Sequence, residues 1–164
     1  MNRPESITIT TTFEVYLSDD DLRSEDRDLL NEARKAVKNA YAPYSEFKVG
    51  AALILDNGVT VTGNNQENAA YPSGLCAERT AVFYASSQYP NVKIKSIAVS
   101  YESKNKNYGE PVTPCGACRQ ALAEYELRAE NPIKVIMGSE TGKVYITKSV
   151  ESLLPLLFNG KQLK

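Results

Sequence analysis

Phe47-Lys-Val-Gly-Ala-Ala-Leu-Ile-Leu55 runs into Asp56-Asn57-Gly58 and out again through Val59-Thr-Val-Thr-Gly63. The first part is an apolar, β-rich run and reads as a strand. Asp-Asn-Gly is a hairpin turn signal, so Val59 to about Gly63 is expected to return beside it. Downstream, the spacing predicts a loop over 64–75, a helix from about Cys76 to Ser87 and a β-rich run from Ile94 to Tyr101. Glu102 to Thr113 is polar and reads as a mobile connection. A helix from near Cys115 to about Glu126, a strand over 133–137, a turn, a strand over 144–147 and a short helix through Leu154 complete the chain. A hairpin followed by alternating helices and strands implies an α/β fold, a mixed sheet with helices on both faces.

Upstream of the hairpin, Leu29, Leu30, Ala33, Val37 and Tyr41 recur at helical spacing. A helix is expected from Ser24, as N-cap, to Ala42, with Pro43 ending it. Residues 1–22 read as an N-terminal extension to a domain over 23–164. Within the extension Ile7, Ile9, Phe13, Val15 and Leu17 alternate like a half-buried strand, which Asp19-Asp20-Asp21 then breaks. An edge strand or an oligomer contact is the expected use. No repeat, low-complexity tract or second domain is visible.

The 164 residues fit one domain. Hydrophobic residues at 42% and charged residues at 24% describe a globular chain rather than a disordered one. Lys plus Arg number 19 against 20 Asp plus Glu. With no basic excess to release counterions, a nucleic-acid partner is not expected. No apolar run approaches the roughly 20 residues of a membrane span, so no membrane partner is expected. The first fifteen residues hold no apolar signal core, so the expected compartment is the cytoplasm.

The chain has no histidine, which excludes histidine-assisted nucleophiles and histidine-ligated metals. Its three cysteines lie in two short segments, Cys76-Ala77-Glu78-Arg79 and Pro114-Cys115-Gly-Ala-Cys118-Arg119-Gln120. The second is a CxxC where a loop enters a helix, and exposed backbone N–H groups there favour thiolates. A third thiolate from another helix start gives three protein ligands and one open position, the catalytic arrangement for zinc. A CxxC also serves as a redox pair, and Cys76 alone reads more readily as a small buried apolar residue than as a ligand. Glu78, two residues beyond Cys76, is either a first-turn carboxylate complementing its helix dipole or a proton carrier beside a metal-bound water.

The pattern CAE…PCxxC resembles the zinc nucleoside and nucleobase deaminases, a signature of that superfamily. The likeness is closer to the small homotetrameric cytidine deaminases. It is carried by Tyr41-Ala-Pro-Tyr-Ser, Phe47-Lys-Val-Gly-Ala-Ala-Leu, Asn65-Gln-Glu67-Asn68-Ala-Ala-Tyr71, Cys76-Ala-Glu-Arg-Thr-Ala and Pro114-Cys-Gly-Ala-Cys-Arg-Gln, in that order from about Leu30 to Phe158. The resemblance implies a single-domain three-layer α-β-α sandwich with a five-stranded mixed sheet. It implies one zinc per chain on Cys76, Cys115 and Cys118, with Glu78 as proton shuttle. Asn65 and Glu67 would hold the ribose hydroxyls, backbone groups of Ala77 and Cys115 would read the pyrimidine edge, and Phe47 would pack near the base. Phe158 would reach a neighbouring subunit's site.

The implied reaction is hydrolytic deamination of cytidine or 2′-deoxycytidine. Three thiolates leave zinc with a net negative charge, so something positive must offset the third. Arg79 is the expected charge-balancing residue. Arg119 is either a second such residue or a solvent-facing one. The competing readings are a redox or binding module built on the CxxC, and a related deaminase acting on an aminonucleoside antibiotic or another amino-nucleoside. Glu67 favours a free ribose, and the absence of Trp weakens a single-strand nucleic-acid role.

Overall fold

In the computed structural model, which describes residues 4–103 and 109–163, helix α1 spans Ser24–Val37. Leu29, Leu30, Ala33, Ala36 and Val37 form its buried stripe. Glu25 and Asp26 in the first turn and Arg34 and Lys35 in the last oppose the helix dipole. Ser24 is the first helical residue and not the cap; Arg23 holds that position and makes no side-chain bond to the helix. The helix also stops short of Ala42. Tyr41 is drawn away, its amide donating to Asn65 O at 3.0 Å and its carbonyl accepting from Glu67 N at 2.9 Å.

Strand β2 (Phe47–Leu55) and strand β3 (Thr60–Asn64) form the expected antiparallel hairpin. Gly58, at φ +84°, supplies the left-handed turn residue that closes it. Helix α2 spans Ala77–Gln88, strand β4 Ile94–Ser103, helix α3 Gly116–Ala129, strand β5 Lys134–Met137 and strand β6 Val144–Thr147. The expected short helix through Leu154 is a single 3-10 turn, Glu151–Leu153. Residues 104–108 of the stretch expected to be mobile lie outside the described residues. Of its remainder, Glu102 and Ser103 extend β4, and Glu110 binds Lys143 and Tyr145.

The sheet has six strands where five were expected. The sixth, β1 (Glu14–Tyr16), comes from the extension and pairs antiparallel with β6. The strand order is β1-β6-β5-β4-β2-β3, and among these pairings only β4–β5 is parallel. Residues 4–13 pair with no strand, so Ile7, Ile9 and Phe13 do not share in the alternating strand expected for them.

Two apolar clusters sandwich the sheet. Leu22, Leu29, Leu30 and Ala33 cover one face through Ala52, Ala98, Ile136 and Ile146. Ala77, Ala81, Val82, Leu122 and Ala123 of α2 and α3 cover the other through Leu53, Ile97, Val99 and Val135. The three-layer α-β-α architecture therefore holds. Its consequence for function is that α2 and α3 lie on the same face, where their N-termini can meet.

Candidate active site

Cys76 is the N-cap residue of α2 and Cys115 that of α3. N-caps are usually oxygen-bearing side chains that accept from the first turn. Neither cysteine makes such a bond, so both sulfurs are free to turn toward each other. Cys118 sits one turn into α3 and is fully buried, while Cys115 is exposed and Cys76 half-buried. The three Sγ atoms lie within 4.8 Å of one another, and Cys76 and Cys115 are 3.8 Å apart.

This donor set fits zinc. A tetrahedral ion with Zn–S bonds of about 2.3 Å requires sulfurs about 3.8 Å apart. The donors are thiols only, and three of them leave the fourth position open. The N–H groups at the starts of two helices, each worth about half a positive charge, converge on the same point and favour thiolates there.

The electrostatics agree. Beside the Cys118 sulfur and the Arg79 guanidinium, the Cys76 thiol is lowered to about 5 despite its partial burial. The neighbouring Cys76 sulfur first, and then burial, push the Cys118 thiol up. Arg79 Nη2 stands 3.5 Å from Cys76 Sγ. The Arg79 Nε is buried with no hydrogen-bond partner among the described residues. Glu78, on the first turn of α2, is 4% exposed. Burial above all, and then the Cys76 charge, push its carboxyl above the usual carboxylate range.

Arg119 serves neither of its two expected uses. Its Nε donates to Pro114 O at 2.7 Å and its Nη1 to Leu153 O at 2.9 Å. It braces the loop that carries Cys115 against the C-terminal segment. Its neighbour Gln120 donates from Nε2 to Phe158 O at 2.8 Å.

Cys76 and Arg79 line a cavity of about 420 Å³ together with Asn65, Glu67, Tyr44 and Ser45. A larger cleft, about 500 Å³, lies between α1 and the end of β4. Its lining mixes acids and bases and, unlike that of the smaller cavity, includes no cysteine. Asn65 and Glu67 are tied into the wall. Asn65 Oδ1 accepts from Val49 N at 2.8 Å and its Nδ2 donates to Phe47 O at 2.9 Å. Glu67 accepts from Tyr44 N at 2.9 Å, from Ser45 N at 3.3 Å and from the Ser45 hydroxyl. The Ser45 bond foremost holds its carboxyl below the usual range.

The other residues expected to contact substrate are not among those lining this cavity. Ala77 is fully buried at the start of α2. Phe47 stacks on Tyr101, ring centroids 5.0 Å apart. Phe158 is exposed at the C-terminal segment, outside the cavity lining.

The model of the family described as cytidine and deoxycytidylate deaminase zinc-binding region matches residues 23–131, a span that holds all three cysteines. The chain belongs to this deaminase family. Its cofactor is zinc, and the cysteine cluster is where the ion fits. Cytidine deaminase from Halalkalibacterium halodurans is 41% identical over 135 residues, 82% of this chain and 95% of that relative. Cytidine deaminase from Sporosarcina psychrophila is 40% identical over 82% of this chain and 92% of its own length. The crystal structure of cytidine deaminase from Burkholderia pseudomallei matches with a TM-score of 0.69 at 38% identity, covering 84% of this chain and 100% of that one.

Within this deaminase frame, two groups in the cavity wall had no assigned role in the sequence. Tyr44 and Ser45 belong to the Tyr41-Ala-Pro-Tyr-Ser motif, yet nothing in the spacing joins them to Glu67, more than twenty residues away. The signal was the motif itself, a turn with a hydroxyl before a strand.

Proposed function

We propose that this protein is a zinc-dependent hydrolase that converts cytidine and 2′-deoxycytidine, with water, to uridine and 2′-deoxyuridine plus ammonia. One observation carries the reading: a buried carboxylate, Glu78, stands on the helix turn that directly follows Cys76 of the three-sulfur cluster. Zinc in that cluster supplies Lewis-acid activation of the attacking water. Glu78 takes one proton from this water and delivers it to ring nitrogen 3, then carries the water's second proton from the new hydroxyl on carbon 4 to the amine, which leaves as ammonia. Burial suits it to that task, because the neutral carboxyl is not strongly disfavoured there.

Asn65 and Glu67 bind the sugar hydroxyls, and backbone groups of Ala77 and Cys115 meet the pyrimidine edge. Phe47 packs beside the base. Arg79 offsets the charge of the third thiolate. Phe158, outside its own chain's cavity and exposed, completes the site of a neighbouring subunit in a homotetramer. Residues 1–22 form an extension to the deaminase domain at 23–164, a division supported by the family match beginning at residue 23. Among the described residues no helix is long and apolar enough to cross a membrane. Three free thiols gathered to bind metal suit a reducing compartment, and we assign the protein to the cytoplasm.

The deciding experiment measures ammonia release from cytidine by the purified protein, with bound zinc assayed in the same sample. Turnover with about one zinc per chain is the expected result. Zinc without turnover would redirect the reading to another amino-nucleoside.

A further inference from the structure

We propose that Ser45 is a positioning residue for sugar recognition, fixing the plane of the Glu67 carboxylate so that one lone pair faces the nucleoside hydroxyls. This rests on the reading of Glu67 as a sugar-binding group. The geometry is asymmetric between the two oxygens. Glu67 Oε2 accepts both backbone amides, Tyr44 N at 2.9 Å and Ser45 N at 3.3 Å. Among the described residues, Glu67 Oε1 accepts only the Ser45 hydroxyl.

A carboxylate offers about four acceptor positions, two on each oxygen. The amides fill those of Oε2. Two bonds to one oxygen anchor that atom but leave the carboxylate free to swing about it. The Ser45 bond is what stops the swing, and it leaves one lone pair on Oε1.

Ser45 is itself held. Its Oγ accepts from Phe47 N at 3.0 Å, which orients the hydroxyl proton toward Glu67. In that turn Glu46 stands at φ +54°, a left-handed conformation that residues with side chains seldom adopt. Among the described residues Asn65 uses one of its two amide protons, in its bond to Phe47 O. The wall thus presents one acceptor beside one donor, the complement of a hydroxyl group, which both donates and accepts.

The test compares Ser45→Ala and Ser45→Thr with the wild type on cytidine and on 2′,3′-dideoxycytidine, which keeps the 5′-hydroxyl but has neither the 2′- nor the 3′-hydroxyl to donate to Glu67. Ser45→Ala is expected to raise KM for cytidine about tenfold with kcat changed less than about twofold, the loss of one charge-assisted bond. KM for the dideoxy substrate is expected to stay put, and Ser45→Thr to restore the cytidine value. A rise shared equally by both substrates, an unchanged cytidine KM, or a fall in kcat alone would each overturn the proposal.

Calorimetric binding of uridine and 2′,3′-dideoxyuridine to the same proteins needs no turnover. If the wild type binds uridine but leaves cytidine intact, the proposed reaction fails and these affinities still decide the role of Ser45. If Ser45→Ala binds uridine as tightly as the wild type, the positioning role fails whatever the activity.

Discussion

Gly63 and Ala77 are in backbone contact: a Cβ on Gly63 would stand 2.6 Å from Ala77 O and 2.6 Å from Ala81 N. This close approach seats the first turn of α2 on β3, and the first turn carries Glu78 and follows Cys76 directly. Gly63→Ala must push the helix start away from the sheet, at a cost of about 1–3 kcal/mol. The expected result is a folded protein of lowered Tm whose zinc content and activity both fall, read by metal analysis and ammonia release. A variant with full zinc and full activity would show that the helix start tolerates the shift.

Glu78→Gln keeps the size and burial of the side chain and removes its ability to carry a proton. We expect kcat for cytidine to fall about 100-fold or more while bound zinc stays at the wild-type level. Zinc loss in step with activity would make Glu78 part of the metal-binding scaffold instead.

Arg79 stands 3.5 Å from Cys76 Sγ and holds a buried Nε with no partner among the described residues. Three thiolates around one zinc carry a net negative charge that the helix termini only partly offset. Arg79→Ala is expected to lower zinc occupancy or activity, and dialysis against a chelator should strip the variant faster than the wild type. Unchanged values of all three would remove Arg79 from the charge balance.

The hairpin was legible because Asp56-Asn57-Gly58 is a local signal, and the cysteines because three sulfurs in two helix-start segments define their own chemistry. What escaped was long-range. The stop of α1 at Val37 is set by Tyr41 bonding to 65–67, which no helical spacing records. Only Glu14–Tyr16 of the apolar alternation in the extension finds a partner, because β6 offers an edge just four residues long. Arg119 turned toward the carbonyls of Pro114 and Leu153 rather than to sulfur or solvent, and the second of these lies 34 residues away.

Glu126 is another such residue, unremarkable in sequence as the end of a predicted helix. It is buried, and its carboxylate accepts from Ile133 N at 2.6 Å, Val150 N at 2.9 Å, Ser149 Oγ at 2.6 Å and Glu151 N at 3.1 Å. It ties α3 to the entry of β5 and to the segment after β6. Glu126→Ala leaves two buried amides, those of Ile133 and Val150, without their acceptor. We expect a loss of about 3 kcal/mol in urea unfolding, with Glu126→Gln recovering part of it because the amide oxygen still accepts. A loss under about 1 kcal/mol for the alanine variant would mean that water replaces the carboxylate.

Asp19 pairs with Arg34 at 2.5 Å, and Arg34 also donates to Ser139 O at 3.0 Å, so the end of the extension is clamped to α1 and to the turn after β5. The Arg34 hydrogen bond holds the Asp19 carboxyl below the usual aspartate range. A carboxyl lowered by folding adds stability above its unfolded pKa of about 3.9, and that contribution disappears as pH falls through the lower folded value. The pair is partly solvated, so the contribution is about 0.5–1 kcal/mol and shrinks in high salt. Asp19→Asn should therefore lower the urea midpoint at pH 7, and the gap from the wild type should narrow as pH drops below about 4. A gap that stays constant across that range would assign the effect to lost packing, with no part played by the charge.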